Sequence, residues 1–425
     1  MFSHALCKTA KLADDVYTFF RVGVFYFKGE IKMFLSLFFI FFLGVLGGII
    51  FEKIKLPKLV WYILLGILLG PSVLNLIDDT LINISSILRQ IALVIILTRS
   101  GLSLDINNLK KIGRPAILMC FIPACFEILG VLIFGPIFLE ITHLEALLLG
   151  SVLAAVSPAI VVPRMIKLMD DGYGKDKNIP ELVLAGASCD DIFVIILFYS
   201  FKSLVATNTF NVWNTFQIPI SIILGIILGL VMGLLVTFFI SKVKSKTIIN
   251  VILMLGMSFG MIALEEVLKP YVSISSLLGI IVMGLIIAIN NKEEAKDIQT
   301  NYNSLWSCFE ILLFVLVGVA TNIKYAISSN GLIILGLIII ALIFRSLGVI
   351  VCLIATKFNI KEKLFIIISY LPKATVQASI GAIALSEGLE CGEIVLTAAV
   401  ISILFTAPLG AILIDNSYKK LLNLY

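Results

Sequence analysis

The sequence predicts an all-α polytopic membrane protein of about thirteen transmembrane helices, arranged as two inverted repeats with two broken helices that cross. Three observations predict it. Of 425 residues, 60% are hydrophobic and 14% charged, with a mean hydropathy of +1.11, which is more apolar surface than a water-soluble core can hide. Apolar windows of about 17–25 residues, each able to cross roughly 30 Å of hydrocarbon as a helix, recur from Phe34 to Ile414. Two of these windows are interrupted by proline at related places, Pro158 and Pro372.

In order, the thirteen windows begin near Phe34, Leu59, Ile87, Pro115, Leu144, Leu182, Ile218, Ile248, Val272, Leu305, Leu332, Leu364 and Ile394. Lysine and arginine set their orientation, because positive loops stay in the cytoplasm. Loops after odd-numbered windows carry clusters such as Lys53, Lys55 and Lys58, or Lys242, Lys244 and Lys246, whereas those after even-numbered windows hold only Arg89, Lys202, Lys269 and Lys324. The expected C-terminus is therefore cytoplasmic, in a multi-pass protein of the cell membrane. Residues 1–33 run against this scheme, since Lys8, Lys11, Arg21, Lys28 and Lys32 would hold them inside, and the apolar part, Val16 to Phe27, is too short and too charged to span. They read either as an interfacial amphipathic helix or, preferably, as an extension upstream of Met33. The expected transmembrane domain is 34–415, with windows 1–6 and 8–13 as the repeats and window 7 as linker, followed by a short cytoplasmic tail, 416–425.

Composition also excludes. The net charge of +5 is accounted for by the basic loops and implies no nucleic-acid partner. The seven cysteines form no CxxC pair and mostly lie inside windows, where they read as small apolar packers. His4 and His143 lie outside the windows, so neither a zinc site nor histidine-based catalysis can be assembled. No cofactor is implied, and the chain is not expected to be an enzyme.

Five ionisable residues sit near mid-depth: Glu127, Asp190, Asp191, Arg345 and Lys373. Each costs roughly 2.5–3.5 kcal/mol at the centre of a membrane helix, which marks such residues as part of an ion or proton path. Interrupted helices at matching positions of two inverted halves point to a transporter's midplane site, because the broken ends expose backbone dipoles to an ion. The same mapping pairs window 4 with window 11, so Glu127 and Arg345 are expected to form an ion pair that holds the core together. Asp190 and Asp191 project about 100° apart on their helix, which gives them separate tasks. One can hold a dehydrating sodium ion with hard oxygen ligands; the other can reach the neighbouring broken helix, where Lys373 is its expected partner. Sodium and protons would compete for the same carboxylate oxygens, which suffices for exchange. Ser157 and Ser188 could add hydroxyl oxygens.

At these residues the chain resembles the monovalent cation/proton antiporter superfamily, most closely its NHA subgroup of sodium/proton exchangers. The resemblance rests on Val156-Ser157-Pro158-Ala159-Ile160-Val161-Val162-Pro163, then Asp171-Gly172-Tyr173-Gly174, then Asp190-Asp191, then Pro372-Lys373-Ala374-Thr375-Val376-Gln377-Ala378, and covers about Phe34 to Asp415. It implies an NhaA-like antiporter fold, a homodimer with a dimerisation domain and a mobile core, and exchange of Na+ or Li+ for H+ by alternating access. It also implies Asp191 as principal ion-binding carboxylate with Asp190 assisting, Lys373 as the cationic partner of Asp190, and an ion pair between Glu127 and Arg345. Ser157 and Asp190 stand where another large branch carries an aspartate and an asparagine, and this leaves the stoichiometry open. The alternatives are a sodium-coupled organic-solute symporter on a related fold and a K+/H+ antiporter. An intramembrane aspartyl protease needs acids on separate, facing helices, whereas Asp190 and Asp191 are neighbours on one.

Overall fold

The computed structural model describes residues 29–103, 113–207, 212–243, 246–269, 271–272 and 274–424, apart from the side chains of 29, 30, 188, 207 and 212–219. The expected N-terminal interfacial segment lies outside the described residues up to residue 28, and the first described helix begins at Gly29.

The described chain is almost entirely helical. Its elements are α1 (Gly29–Lys53), α2 (Lys58–Leu69), α3 (Asp79–Asn83), α4 (Ser85–Ser103), α5 (Arg114–Met119), α6 (Ile122–Leu139), α7 (His143–Leu153), α8 (Pro158–Asp170), α9 (Ile179–Thr207), α10 (Val212–Val243), α11 (Thr247–Leu268), α12 (Ser276–Asn290), α13 (Lys292–Ala320), α14 (Ile323–Ile327), α15 (Ser329–Cys352), α16 (Ile360–Ser369), α17 (Thr375–Gly381), α18 (Ile383–Ser386) and α19 (Gly392–Leu421). Among the described residues, ten helices, counting α5–α6 and α7–α8 each as one, are long and apolar enough to cross a membrane. The windows starting at Leu59, Val272 and Leu364 hold shorter helices, because α2 is bounded by Pro57 and the Gly70-Pro71 turn, α12 is a 15-residue helix entered from a non-helical stretch at 274–275, and Pro372 splits the third. Rows of exposed apolar side chains, including Phe34, Phe38 and Phe42 on α1 and Ile223, Ile227 and Phe238 on α10, form the outer surface expected of a hydrocarbon-facing protein.

Local chemistry explains where the helices stop. Thr142 and Asn359 each form a reciprocal capping box, with Glu145 and Glu362 three residues on, and so open α7 and α16. Proline at the first position of α8 needs no amide partner there, so the chain re-enters helix at Pro158 after an extended Ser157. Small residues let the remaining helices approach closely. A Cβ on Gly66 would stand 2.0 Å from the Val315 carbonyl oxygen, and one on Gly318 2.3 Å from that of Ile63, so α2 and α13 touch backbone to backbone.

Within the segment expected as a short tail, 416–425, the described residues 416–424 are ordered against the rest of the chain. α19 continues through Leu421, Tyr418 packs edge-on against Tyr173 with ring centroids 5.0 Å apart, and the Asn423 carbonyl accepts the Gly174 amide at 2.9 Å. Asp415 also accepts two bonds of 3.1 Å from Arg164. A buried Leu422 and these polar ties hold residues 415–424 against α8 and the turn after it. Composition alone gave no sign of this docking, because the contact is long-range.

Candidate functional site

The site lies where two helix breaks meet the middle of α9. The first break spans 154–157 between α7 and α8; the second spans 370–374 between α16 and α17. The breaks cross, and the Ser157 amide donates to the Pro372 carbonyl at 2.8 Å, one broken strand satisfying the other. Pro158 and Pro372 therefore stand at the interruptions expected of them. α19 backs the crossing: Thr406 Oγ1 accepts the Lys373 amide at 2.9 Å.

α6 and α15 run side by side and bring Glu127 to Arg345, with Nη1 2.8 Å from Oε2. Arg345 does more than pair with Glu127. Its Nη2 lies 2.8 Å from Asp190 Oδ2, its Nε donates to the Tyr370 carbonyl at 2.8 Å, and Nη1 also donates to the Ala154 carbonyl. The Tyr370 ring lies 5.5 Å from the guanidinium carbon. The planar fork of arginine makes such a four-way clamp possible.

Lys373 lies elsewhere than the sequence suggested. Its Nζ is 2.6 Å from Glu127 Oε1 and donates to the Leu153 carbonyl, while Asp190 is held by Arg345 and by the Val156 amide at 2.9 Å. Lys373 therefore pairs with Glu127, which corrects the expected pairing with Asp190. The reason is reach: Arg345 spans both carboxylates from α15, and it leaves the second oxygen of Glu127 for the lysine.

Glu127, Asp190, Arg345 and Lys373 are fully buried, two acids against two bases. Asp191 is the odd charge. Among the described residues it has no ion-pair partner and its Oδ1 has no hydrogen-bond partner, and it is the one of the five with 6% of its surface accessible. Asp190 Oδ1 and Ser157 Oγ, in the same crossing, are buried acceptors without a partner. The Ser188 side chain lies outside the described residues. No cluster of three or more His, Cys, Asp or Glu side chains able to hold a metal ion occurs among the described residues. What the crossing offers a small hard cation is thus one free carboxylate plus neutral and carboxylate oxygens.

Several participants were not singled out as site residues from the sequence. The carbonyls of Leu153, Ala154 and Ala155 receive Lys373, Arg345 and Gln377 respectively. Backbone groups carry no sequence signal of their own. Gln377, a buried amide in an apolar run just past the second break, was visible and could have been flagged on that ground.

A multi-pass protein with two crossed helix breaks around a lone buried carboxylate has the build of a secondary transporter. Its fold is similar to that of the sodium proton antiporter MjNhaP1 from Methanocaldococcus jannaschii, with a TM-score of 0.78 at 20% identity, covering 92% of this chain and 99% of that one. In sequence it is 32% identical over 406 residues to human sodium/hydrogen exchanger 9B2, covering 90% of this chain and 74% of the relative, and 35% identical over 402 residues to mouse sodium/hydrogen exchanger 9B1, covering 90% and 70%. Residues 37–415 match the family described as sodium/hydrogen exchanger, transmembrane, and the chain belongs to it.

Proposed function

We propose that the chain exchanges Na+ for H+ across a membrane by alternating access, with Asp191 as the carboxylate that binds either ion. The observation that carries this reading is the charge balance: Glu127 and Asp190 are matched by Arg345 and Lys373, and Asp191 alone is left uncompensated. An uncompensated carboxylate in hydrocarbon costs several kcal/mol, so the occupied site, carrying a cation or a proton, crosses far more readily than the bare one. Asp190 assists by fixing the break through the Val156 amide, Ser157 supplies a neutral oxygen, and Lys373 neutralises Glu127. One carboxylate that binds either one Na+ or one H+ gives one-for-one, electroneutral exchange. Li+ shares the hard-oxygen preference and is a second substrate.

The architecture that fits this reading has thirteen spans, α2, α12 and the α16–α18 segment completing the ten longer ones, with windows 1–6 and 8–13 as inverted repeats. It also has two copies of the chain per transporter and a cytoplasmic C-terminus in the cell membrane. The lysine- and arginine-rich loops support the orientation. The direct test reconstitutes purified protein in proteoliposomes, imposes a pH gradient, and adds Na+, Li+ or K+ while following lumenal pH. Dissipation by Na+ and Li+ with no voltage-dye response is expected. Dissipation by K+ alone would make the chain a K+/H+ antiporter, and uptake of Na+ with no proton movement would overturn the assignment.

A further inference from the structure

Lys373, Gln377 and Arg345 cover the three backbone carbonyls at the end of α7. Gln377 does two of these jobs: its Nε2 donates to the Ala155 carbonyl at 2.9 Å and to the Leu153 carbonyl at 3.4 Å, where it shares the oxygen with Lys373. Its own Oε1 is buried with no partner, as are Thr375 Oγ1 on the same helix, Ser157 Oγ and Asp191 Oδ1. All four belong to segments that meet at the crossing. Ala155 lies two residues before Ser157, and Ser157 is tied to Pro372, three residues before Thr375. Buried acceptors are ordinarily satisfied. Unpartnered oxygens on segments that meet beside a free carboxylate, two of them hydroxyls that can turn their lone pairs to a ligand, are oxygens available to a cation.

We propose that Gln377 is a positioning residue that sets cation affinity and Na+/Li+ discrimination at the Asp191 site. The inference rests on the exchange reading above. The carboxamide pulls the Ala155 carbonyl toward α17 and so orients the two residues that follow, Val156, whose amide holds Asp190, and Ser157, whose hydroxyl is free. Helix ends expose carbonyls as ready cation ligands. By occupying those of Leu153 and Ala155, Gln377 keeps α7 from offering them and leaves the carboxylate and side-chain oxygens as the shell. With the clamp released, the Ala155 carbonyl becomes an alternative ligand while Lys373 keeps that of Leu153, and the shell's size changes. An outer-shell contact of this kind typically tunes metal affinity by about 10–100-fold.

The test is Gln377→Met, which keeps the length and removes both donor and acceptor, reconstituted beside wild type. The apparent KM for Na+ is expected to rise about tenfold, the Na+/Li+ KM ratio to shift, and the maximal rate to fall less than the KM rises. A structural role alone would lower the yield and the maximal rate while leaving the Na+/Li+ ratio where it was, and that result overturns the proposal. Thr375→Val is the second variant, since it removes one free oxygen without touching the clamp and keeps the question open to measurement if Gln377→Met does not fold. A rise in Na+ KM there supports the oxygen shell; unchanged KM values for both cations sink it. If wild type itself shows no cation-driven proton movement, the exchange reading fails first and independently of Gln377.

Discussion

Replacing Lys373 by glutamine removes one charge from a balanced set of four whose side chains are at most 1% exposed. Glutamine is long enough to keep a donor near the Leu153 carbonyl, so the principal loss is the ammonium on Glu127. Breaking a buried pair from one side costs about 3–5 kcal/mol, because the other charge stays buried and uncompensated. Here Glu127 retains its 2.8 Å contact with Arg345, which places the expected cost of Lys373→Gln near 3 kcal/mol. Neutralising both ends, in Glu127→Gln/Lys373→Gln, leaves Arg345 facing Asp190 alone, a balanced pair. The double variant should therefore recover about 0.5–3 kcal/mol relative to the sum of the singles, the range for residues in contact. Thermal unfolding of the four purified proteins in one detergent at fixed pH and salt reads this coupling.

A second cycle, Asp190→Asn/Lys373→Gln, separates this geometry from the pairing that the sequence suggested. Asp190 and Lys373 are not within ion-pair distance, so their coupling should be the smaller of the two. If it were the larger, or if the Glu127–Lys373 cycle proved additive, the network drawn above would be wrong.

Asp191→Asn should abolish Na+-driven proton movement while leaving the melting temperature close to wild type or above it, since an uncompensated buried charge is removed; wild-type rates in the mutant would refute its role. Asp190→Asn should lose both stability and exchange, because it strips Arg345 of one partner and weakens the acceptor of the Val156 amide, and full stability would argue against the clamp. Wild-type exchange should give no response with a membrane-potential dye, and Lys373→Gln should remain silent too; a voltage signal lost in the mutant would assign the lysine a transported proton. Gly410→Ala places a Cβ 2.3 Å from Pro372 Cγ, an overpacking worth about 1–3 kcal/mol, and should slow exchange without altering a single charge.

Much of the fold could be read from hydropathy because the bilayer imposes a length and a polarity on every spanning segment. Both broken helices were legible for the same kind of reason: a proline in an apolar window has a local steric consequence that no tertiary contact is needed to predict. The pairing of Glu127 with Arg345 followed from depth and opposite sign. The partner of Lys373 did not follow, since two acids lay within plausible reach and sequence fixes neither rotamer nor which oxygen is already taken. The docking of residues 415–424 likewise depends on contacts between residues more than 240 positions apart, such as Arg164 and Asp415.

That one misassignment alters the mechanism. With Lys373 on Asp190, the lysine would sit beside the carboxylate pair, and its proton could join the cycle as a second transported charge. With Lys373 on Glu127, both bases are paired with Glu127 and Asp190, and Asp191 is left without an ion-pair partner among the described residues. On the proposed exchange, one free carboxylate neutralises one Na+ or one H+ per cycle. On the proposed exchange, stoichiometry thus follows from which oxygen of Glu127 the lysine occupies, the one that Arg345 on α15 leaves free.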